Sequence, residues 1–390
     1  MVDTPPPQTA GQGAPAPTAL APLTSIRGIA ALAVVLLHIN DTFRHEHLVF
    51  LRAFENGWLG VDLFFVLSGF IMAHVYTRTP VRGRAGAFTI AFLQARLARI
   101  YPLHLATLLA ALALVLWLPG FGPRYPTYFG AGSFVLNLLL VQNWGFIGSS
   151  WNMVSWSISA EWFMYLLFPL MLLARQALWP ASERRAAALV FVLIACTLGL
   201  HHAVILARGW SDYGGMSASG MVRVFFEFVL GFLVYHVRDR LHPRPGGLVF
   251  EVYGLALWAA VLLAFLDRRY WFVFVPAVAM LIATLGSNRG ITARLLGLRP
   301  MVYLGEISFS LYMWHWLVIQ VHNLLRDQGP LAIDSRVGIY LQCLSMALLS
   351  LLLAALSYAW IEKPARAWIN RRAARARGQR VTGRAQDIKA

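Results

Sequence analysis

The sequence predicts an all-α, polytopic transmembrane helix bundle of about ten spans, and three observations lead there. Of its 390 residues, 58% are hydrophobic and 13% charged, against about 45–50% and about 25% in a typical soluble domain. The apolar residues gather into eleven runs of near-membrane length. Lys and Arg sit mostly between those runs, so the net charge of +16 orients helices and does not call for nucleic acid. A mean hydropathy of +0.61 excludes a soluble or disordered chain. Two cysteines cannot staple a scaffold of this length.

The runs lie near 28–43, 57–77, 100–118, 131–148, 157–174, 186–206, 220–237, 248–266, 271–286, 301–324 and 337–361. The fourth is short and rich in Gly, Asn and Gln, and the positive-inside rule decides how to treat it. If 131–148 is re-entrant or interfacial, cytoplasmic segments carry 23 Lys and Arg and outer ones 8. That bias favours ten spans with both termini in the cytoplasm. Residues 1–22 hold six prolines and one charge, which predicts a disordered leader. The transmembrane domain is expected over 23–364, and 365–390 reads as a basic cytoplasmic tail that orients the last span beside membrane lipids.

Ionisable residues inside spans are costly unless paired or hydrated, so each one is a candidate site residue. In the first run, LTSIRGIAALAVVLLHIN, Arg27 and His38 are eleven residues apart. Eleven helical steps overshoot three turns by about 20° and rise about 16 Å, so the two share one face. An Arg that snorkels and a His that bonds a neighbouring helix would look the same. The second run, GWLGVDLFFVLSGF, opens with Asp62. In FLQARLARIYPLH, Arg96 and Arg99 form an i, i+3 pair that suits either positive-inside anchoring or a forked clamp on phosphate.

The fifth run begins NMVSWSISAEWFMYLL and places Trp156, Ser157, Ser159 and Glu161 at its start; no basic residue lies nearby, so the partner of Glu161 must come from another helix. Glu227 and His74 are weaker cases of the same kind. The tenth, YLGEISFSLYMWHWLVI, holds Glu306, Ser308, Ser310, Tyr312 and His315. So many polar groups at membrane depth predict a polar cavity within the bundle. Cys196 and Cys343 read as small core residues. No HExxH, zinc-spaced Cys/His cluster, phosphate loop or GxSxG occurs, so no metal and no nucleotide-hydrolysing engine is expected.

These residues together resemble the acyltransferase-3 family of bacterial integral-membrane acyltransferases. The features that carry the resemblance are Arg27 with His38, GWLGVDLFFVLSGFIM at 57–72, RLARIYP with Arg96 and Arg99, WSISAEWFMYLLFP at 156–169, GEISFSLYMWHW at 305–316 and IEKP at 361–364. They appear in the family's order across nearly the whole span-containing chain. One departure is that the fifth-run motif commonly has two consecutive acidic residues, whereas Glu161 is followed by Trp162. Another is that the sequence stops about 28 residues after the last span, so the single-domain form, without a C-terminal periplasmic hydrolase-like domain, is expected.

The resemblance implies transfer of an acyl group, usually acetyl, from acetyl-CoA or another acyl-CoA to a hydroxyl of a glycan, glycolipid or similar acceptor. It implies a bacterial inner-membrane location and leaves room for polysaccharide-assembly partners. It makes Arg27 and His38 the essential first-span pair and associates Arg96 and Arg99 with acyl-CoA. The expected mechanism rests the coenzyme phosphates on Arg96 and Arg99, with Arg27 assisting, and uses His38 as base or as a covalent acyl carrier. Glu161 and His315 are further catalytic candidates, and Asp62, Trp156, Tyr312 and Ser308 are candidates for binding substrate. The competing expectations are a flippase for a lipid-linked saccharide and a structural subunit of an assembly complex.

Overall fold

A computed structural model of the chain describes residues 20–43, 46, 52–81, 83–124, 128–145, 151–180, 182–208, 218–329, 335–373 and 375. Most of the predicted leader and the end of the basic tail lie outside them. The described residues are helical, with no strand among them. The main helices are α1 (Ala21–Thr42), α2 (Leu59–Tyr76), α3 (Ala85–Trp117), α4 (Ala131–Leu138), α5 (Trp156–Leu178) and α6 (Glu183–Arg208). They continue with α7 (Ala218–Val237), α8 (Leu248–Leu266), α9 (Trp271–Leu285), α10 (Arg299–Glu306), α11 (Ser308–Asp327) and α12 (Arg336–Ser357).

Eight of these are long and apolar enough to cross a membrane: α1, α2, α3, α5, α6, α7, α8 and α12. Helix α9 is apolar but only 15 residues long. Helix α11 has 20 residues, about 30 Å, and is more polar because it carries the candidate site residues. These ten match the ten runs read as spans. The protein is an all-α, multi-pass membrane bundle.

Among the described residues, the run 131–148 holds no helix long enough to cross a membrane. Its helix α4 has eight residues, about 12 Å, and the chain then continues as irregular backbone packed into the bundle. Backbone of this kind survives in a membrane protein only where protein groups satisfy it. Tyr101 donates to the Leu138 carbonyl at 3.1 Å and His104 lies 2.8 Å from the Asn137 carbonyl. Gln142 donates to the Ser155 carbonyl, Trp144 to that of Ser159, and Asn152 to that of Met313 at 2.9 Å. The Asn and Gln residues that weaken this run as a span are the ones that close it as a packed loop.

The tenth run differs from its expectation. Instead of one helix over 301–324, it is two, α10 and α11, meeting at Ile307. Gly305 and Ser308 flank the break, and Ser308 donates its hydroxyl to the Gly305 carbonyl at 2.8 Å, a Gly/Ser pair of the type that bends helices. Cys196 also departs from expectation: it is exposed, whereas Cys343 is buried.

Helices α1, α2 and α7 form the centre and are mostly buried, whereas α6 and α8 lie at the periphery and are mostly not buried. The peripheral helices turn Leu, Val and Phe outward, as lipid-facing surfaces do. Close backbone approach holds the centre together. A Cβ on Gly69 would sit 1.9 Å from the Phe228 carbonyl oxygen, and one on Gly231 would sit 1.8 Å from that of Val66. Glycine is needed at both positions for α2 and α7 to touch, the small-residue packing that replaces hydrophobic association in lipid. A Cβ on Gly28 would likewise meet Gly305 of α10 at 2.7 Å, which locks the start of α1, and Arg27 with it, against the α10–α11 break.

Gly231→Val should therefore force α2 and α7 apart. Overpacking of a core costs about 1–3 kcal/mol, and more where backbone is the obstacle. Thermal unfolding in detergent is the measurement, with Gly199→Ala as control, because a Cβ at Gly199 meets nothing within 4 Å. Equal unfolding temperatures for Gly231→Val and the control would refute the close crossing.

Candidate active site

A cavity of about 150 Å³ lies inside the bundle where α1, α2, α3, α5 and α11 converge. That is about the volume that accepts a benzene-sized group. Arg27 from α1, Arg96 and Arg99 from α3, and Glu161 from α5 all reach it, as do Ser308 and Tyr312 from α11. These are candidates taken from four separate runs of the sequence, and the fold brings them to one space.

The arginines are held differently. Arg99 pairs with Glu362 at 2.5 Å, and Glu362 also accepts from Ser310 at 3.0 Å. Glu362 sits in a π-helical turn, Tyr358–Glu362, that continues α12, and such turns are frequent at functional sites. Arg96 donates to the Tyr76 hydroxyl at 3.2 Å and lies 5.7–5.9 Å from the ring centres of Tyr76, Phe92 and Tyr165. The two therefore do not form the free i, i+3 fork that their spacing suggested, although both face the cavity. Arg27 has Arg99, Glu161 and Glu362 as its charged neighbours. Glu161 accepts from Ser68 at 3.1 Å and from the Tyr165 hydroxyl.

His38 does not line this cavity. It is separated from it by Tyr312, whose ring is 5.7 Å from that of His315, and His315 in turn stacks on His38 with ring centres 5.1 Å apart. The hydrogen bonds fix the protons. The Leu311 carbonyl can only accept, so His315 Nδ1, 3.3 Å away, carries a hydrogen. In a neutral ring His315 Nε2 is then an acceptor, and His38 Nδ1, 2.9 Å from it, is the donor. The Nε2 of His38 is left with its lone pair, the form a general base requires. His315 is thus an orienting group for His38. Trp316 packs edge-on against His38 at 5.3 Å.

Asp62 and Trp156 belong elsewhere. Asp62 is buried 3.3 Å from Arg223 and has Glu227 as a charged neighbour. Glu227 lies 3.8 Å from His201, and Arg223 stands over the Trp156 ring at 5.7 Å. This second polar cluster ties α2, α5, α6 and α7 together. Of the two expected to bind substrate, Asp62 pairs with Arg223 and Trp156 lies beneath that guanidinium, and neither lines the cavity.

Two residues that line the cavity, Tyr165 and Ser68, and one that pairs with its Arg99, Glu362, had no role assigned from sequence. Tyr165 is four residues after Glu161 on one helix, so that pair could have been read from spacing. Ser68 and Glu362 could not, because each reaches the site across a different helix. Arg223, not singled out from the sequence, is a buried counter-ion of Asp62.

The model for an acyltransferase domain matches residues 22–362 of this chain. The acyltransferase MdmB of Streptomyces mycarofaciens is 30% identical over 386 residues, covering 90% of this chain and 92% of that protein. The O-acetyltransferase OatA of Staphylococcus aureus (strain COL) is 23% identical, covering 90% of this chain and 58% of OatA. YrhL of Bacillus subtilis, provisionally named a peptidoglycan O-acetyltransferase, is 26% identical, covering 88% of this chain and 54% of that protein. The chain thus spans little more than half of OatA and YrhL. No solved structure matches it.

Proposed function

The chain belongs to the acyltransferase-3 family, and from that membership we propose that it is a membrane-bound O-acyltransferase. Its donor is an acyl-CoA, most simply acetyl-CoA, and its acceptor a hydroxyl of a glycan, lipid-linked saccharide or similar molecule. OatA is named an O-acetyltransferase and YrhL is provisionally assigned to peptidoglycan, which supports the carbohydrate acceptor. The family's character supports a bacterial inner-membrane site, and the 23-to-8 distribution of Lys and Arg supports cytoplasmic termini. The flippase alternative finds no support in the family or its named members.

The observation that carries the reading is the convergence of Arg27, Arg96, Arg99 and Glu161 on one small cavity, one side chain away from an oriented histidine pair. The acyl thioester enters the cavity with its carbonyl toward Tyr312, and the Tyr312 side chain, which screens the histidine pair from the cavity, swings aside so that the carbonyl and the acceptor hydroxyl meet His38. His38 Nε2 takes the proton of the acceptor hydroxyl as that oxygen bonds to the carbonyl carbon. Negative charge develops on the carbonyl oxygen, and the guanidinium groups already in place offset it without rearranging at that moment. The carbon–sulfur bond then breaks, and the leaving thiolate recovers the proton.

Stabilisation of the detergent-purified protein by acetyl-CoA tests the donor. A ligand that binds only the folded state contributes about 2.7 kcal/mol at a hundredfold excess over its Kd. The expected result is an upward shift in wild type that Arg27→Gln diminishes. Absence of any shift with acetyl-CoA and longer acyl-CoAs, in folded protein, would overturn the reading.

A further inference from the structure

The reaction cavity is too small for a whole coenzyme. Its 150 Å³ takes an acyl thioester head, and its arginines are already engaged, Arg99 by Glu362 and Arg96 by an aromatic cage. A second pocket of about 710 Å³ lies beyond the C-terminal ends of α2, α5 and α7, within the range of about 300–1,000 Å³ usual for small-molecule sites. Arg78, Arg175 and Arg238 line it together with Trp179, Tyr235 and His236.

We propose that this pocket binds the phosphorylated-nucleoside end of the acyl donor, so that the donor lies across α2 and α5 with its thioester in the reaction cavity. The inference rests on the acyl-CoA reading above.

Charge is the first support. The described carboxylate beside these arginines is Asp239, itself largely exposed and 3.6 Å from Arg238. Helix C-termini favour cations, and Arg238 answers that need by donating to the Tyr235 carbonyl at 2.7 Å. Arg175 is different: its guanidinium lies 4.9 Å from the Trp179 ring centre, and its buried Nε has no hydrogen-bond partner. A guanidinium held over an aromatic ring at a pocket wall suits a phosphate, which accepts charge-assisted bonds from the terminal nitrogens. Trp179 and Tyr235 supply the aromatic walls a base requires.

Preorganisation is the second. Gln176 donates to the Thr79 carbonyl at 2.7 Å and accepts from the Val81 amide at 3.2 Å, which holds the chain leaving α2 against α5. Thr77 and His236 meet at 3.4 Å across the same mouth.

Geometry is the third. The two pockets share helices α2 and α5. Met72 lines the first and Thr77 the second, five residues or about 7.5 Å further along α2; Tyr165 and Arg175 are ten residues or about 15 Å apart on α5. An arm of two amide-linked units and a thiol tail, equal to roughly four extended residues, spans about 14 Å.

The test measures two things on the full-length protein in phosphatidylcholine nanodiscs. The first is binding of adenosine 3′,5′-bisphosphate to wild type, Arg175→Ala and Arg78→Ala/Arg175→Ala. The second is kcat/KM with acetyl-CoA and with acetyl-pantetheine, which lacks the nucleotide. Binding should weaken by about tenfold or more in the variants, the effect of losing a charge-assisted contact. The loss of kcat/KM should be about tenfold greater with acetyl-CoA than with acetyl-pantetheine. Equal losses with both donors, or bisphosphate binding unaffected by either substitution, would overturn the subsite. So would wild-type binding that vanishes in phosphatidylglycerol nanodiscs, because a lipid headgroup would then own the pocket. Bisphosphate binding that depends on Arg175, with no turnover of either donor, would uphold the nucleotide pocket and reject the acyl-CoA reaction.

Discussion

Replacing His38 with Ala abolishes acyl transfer to within the residual rate of an enzyme lacking its base, a loss of about 10²–10⁴-fold. The expectation follows from the proton arrangement: His315 Nδ1 faces the Leu311 carbonyl, so the His38–His315 bond leaves Nε2 of His38 as the free acceptor. The fold should survive, because His38 is only partly buried and its bonded partner is a neutral ring. A companion substitution separates orientation from chemistry. His315→Gln keeps an acceptor that can reach His38 Nδ1 and should lose less than His315→Leu, which has none. Turnover per folded molecule, with acetyl-CoA stabilisation as the folding control, is the measurement. Retained turnover in His38→Ala would remove the base assignment, and identical losses in the two His315 variants would remove the orienting role.

Replacing Arg223 with Met has a different consequence, on stability. Arg223 lies 3.3 Å from Asp62, and both side chains are 2% exposed, so neither can turn to water. Removing one partner of a buried pair costs about 3–5 kcal/mol, because the remaining charge is left without compensation. Here it also leaves Asp62 facing Glu227. The triple substitution Asp62→Asn/Arg223→Met/Glu227→Gln removes the charges together and should recover much of the loss. Thermal unfolding in detergent decides it. If Arg223→Met unfolds with wild type, or the triple variant is no better than the single one, the cluster does not brace α2, α6 and α7.

Particular residues mark how far the sequence could be followed. Arg27, Arg96, Arg99, Glu161, Ser308 and Tyr312 were legible because lipid penalises polar groups wherever they occur, so each one stands out against its own run. The loop after α4 was legible for the converse reason: Asn137, Gln142 and Asn143 are too polar for a span, and they are now buried. Asp62 stood out by the same rule but pairs with Arg223, since the cost of burial reveals that a polar residue has a partner and not which one. Glu362 was visible within IEKP but had no role until α12 closed in a π-helical turn beside α3.

The sequence alone determined the membrane class, the ten long runs, the dipping fourth run and most of the polar residues that matter. Those properties follow from hydropathy and charge, which are sums over local residues and need no knowledge of neighbours. Tertiary structure alone decided which polar residues share a space: Arg27 with Glu161 across α1 and α5, His38 with His315 across α1 and α11, and Asp62 with Arg223 across α2 and α7. These pairings depend on helix crossings set by backbone contact at Gly28, Gly69, Gly231 and Gly305. A glycine announces only that something comes close; what comes close is decided when the helices pack.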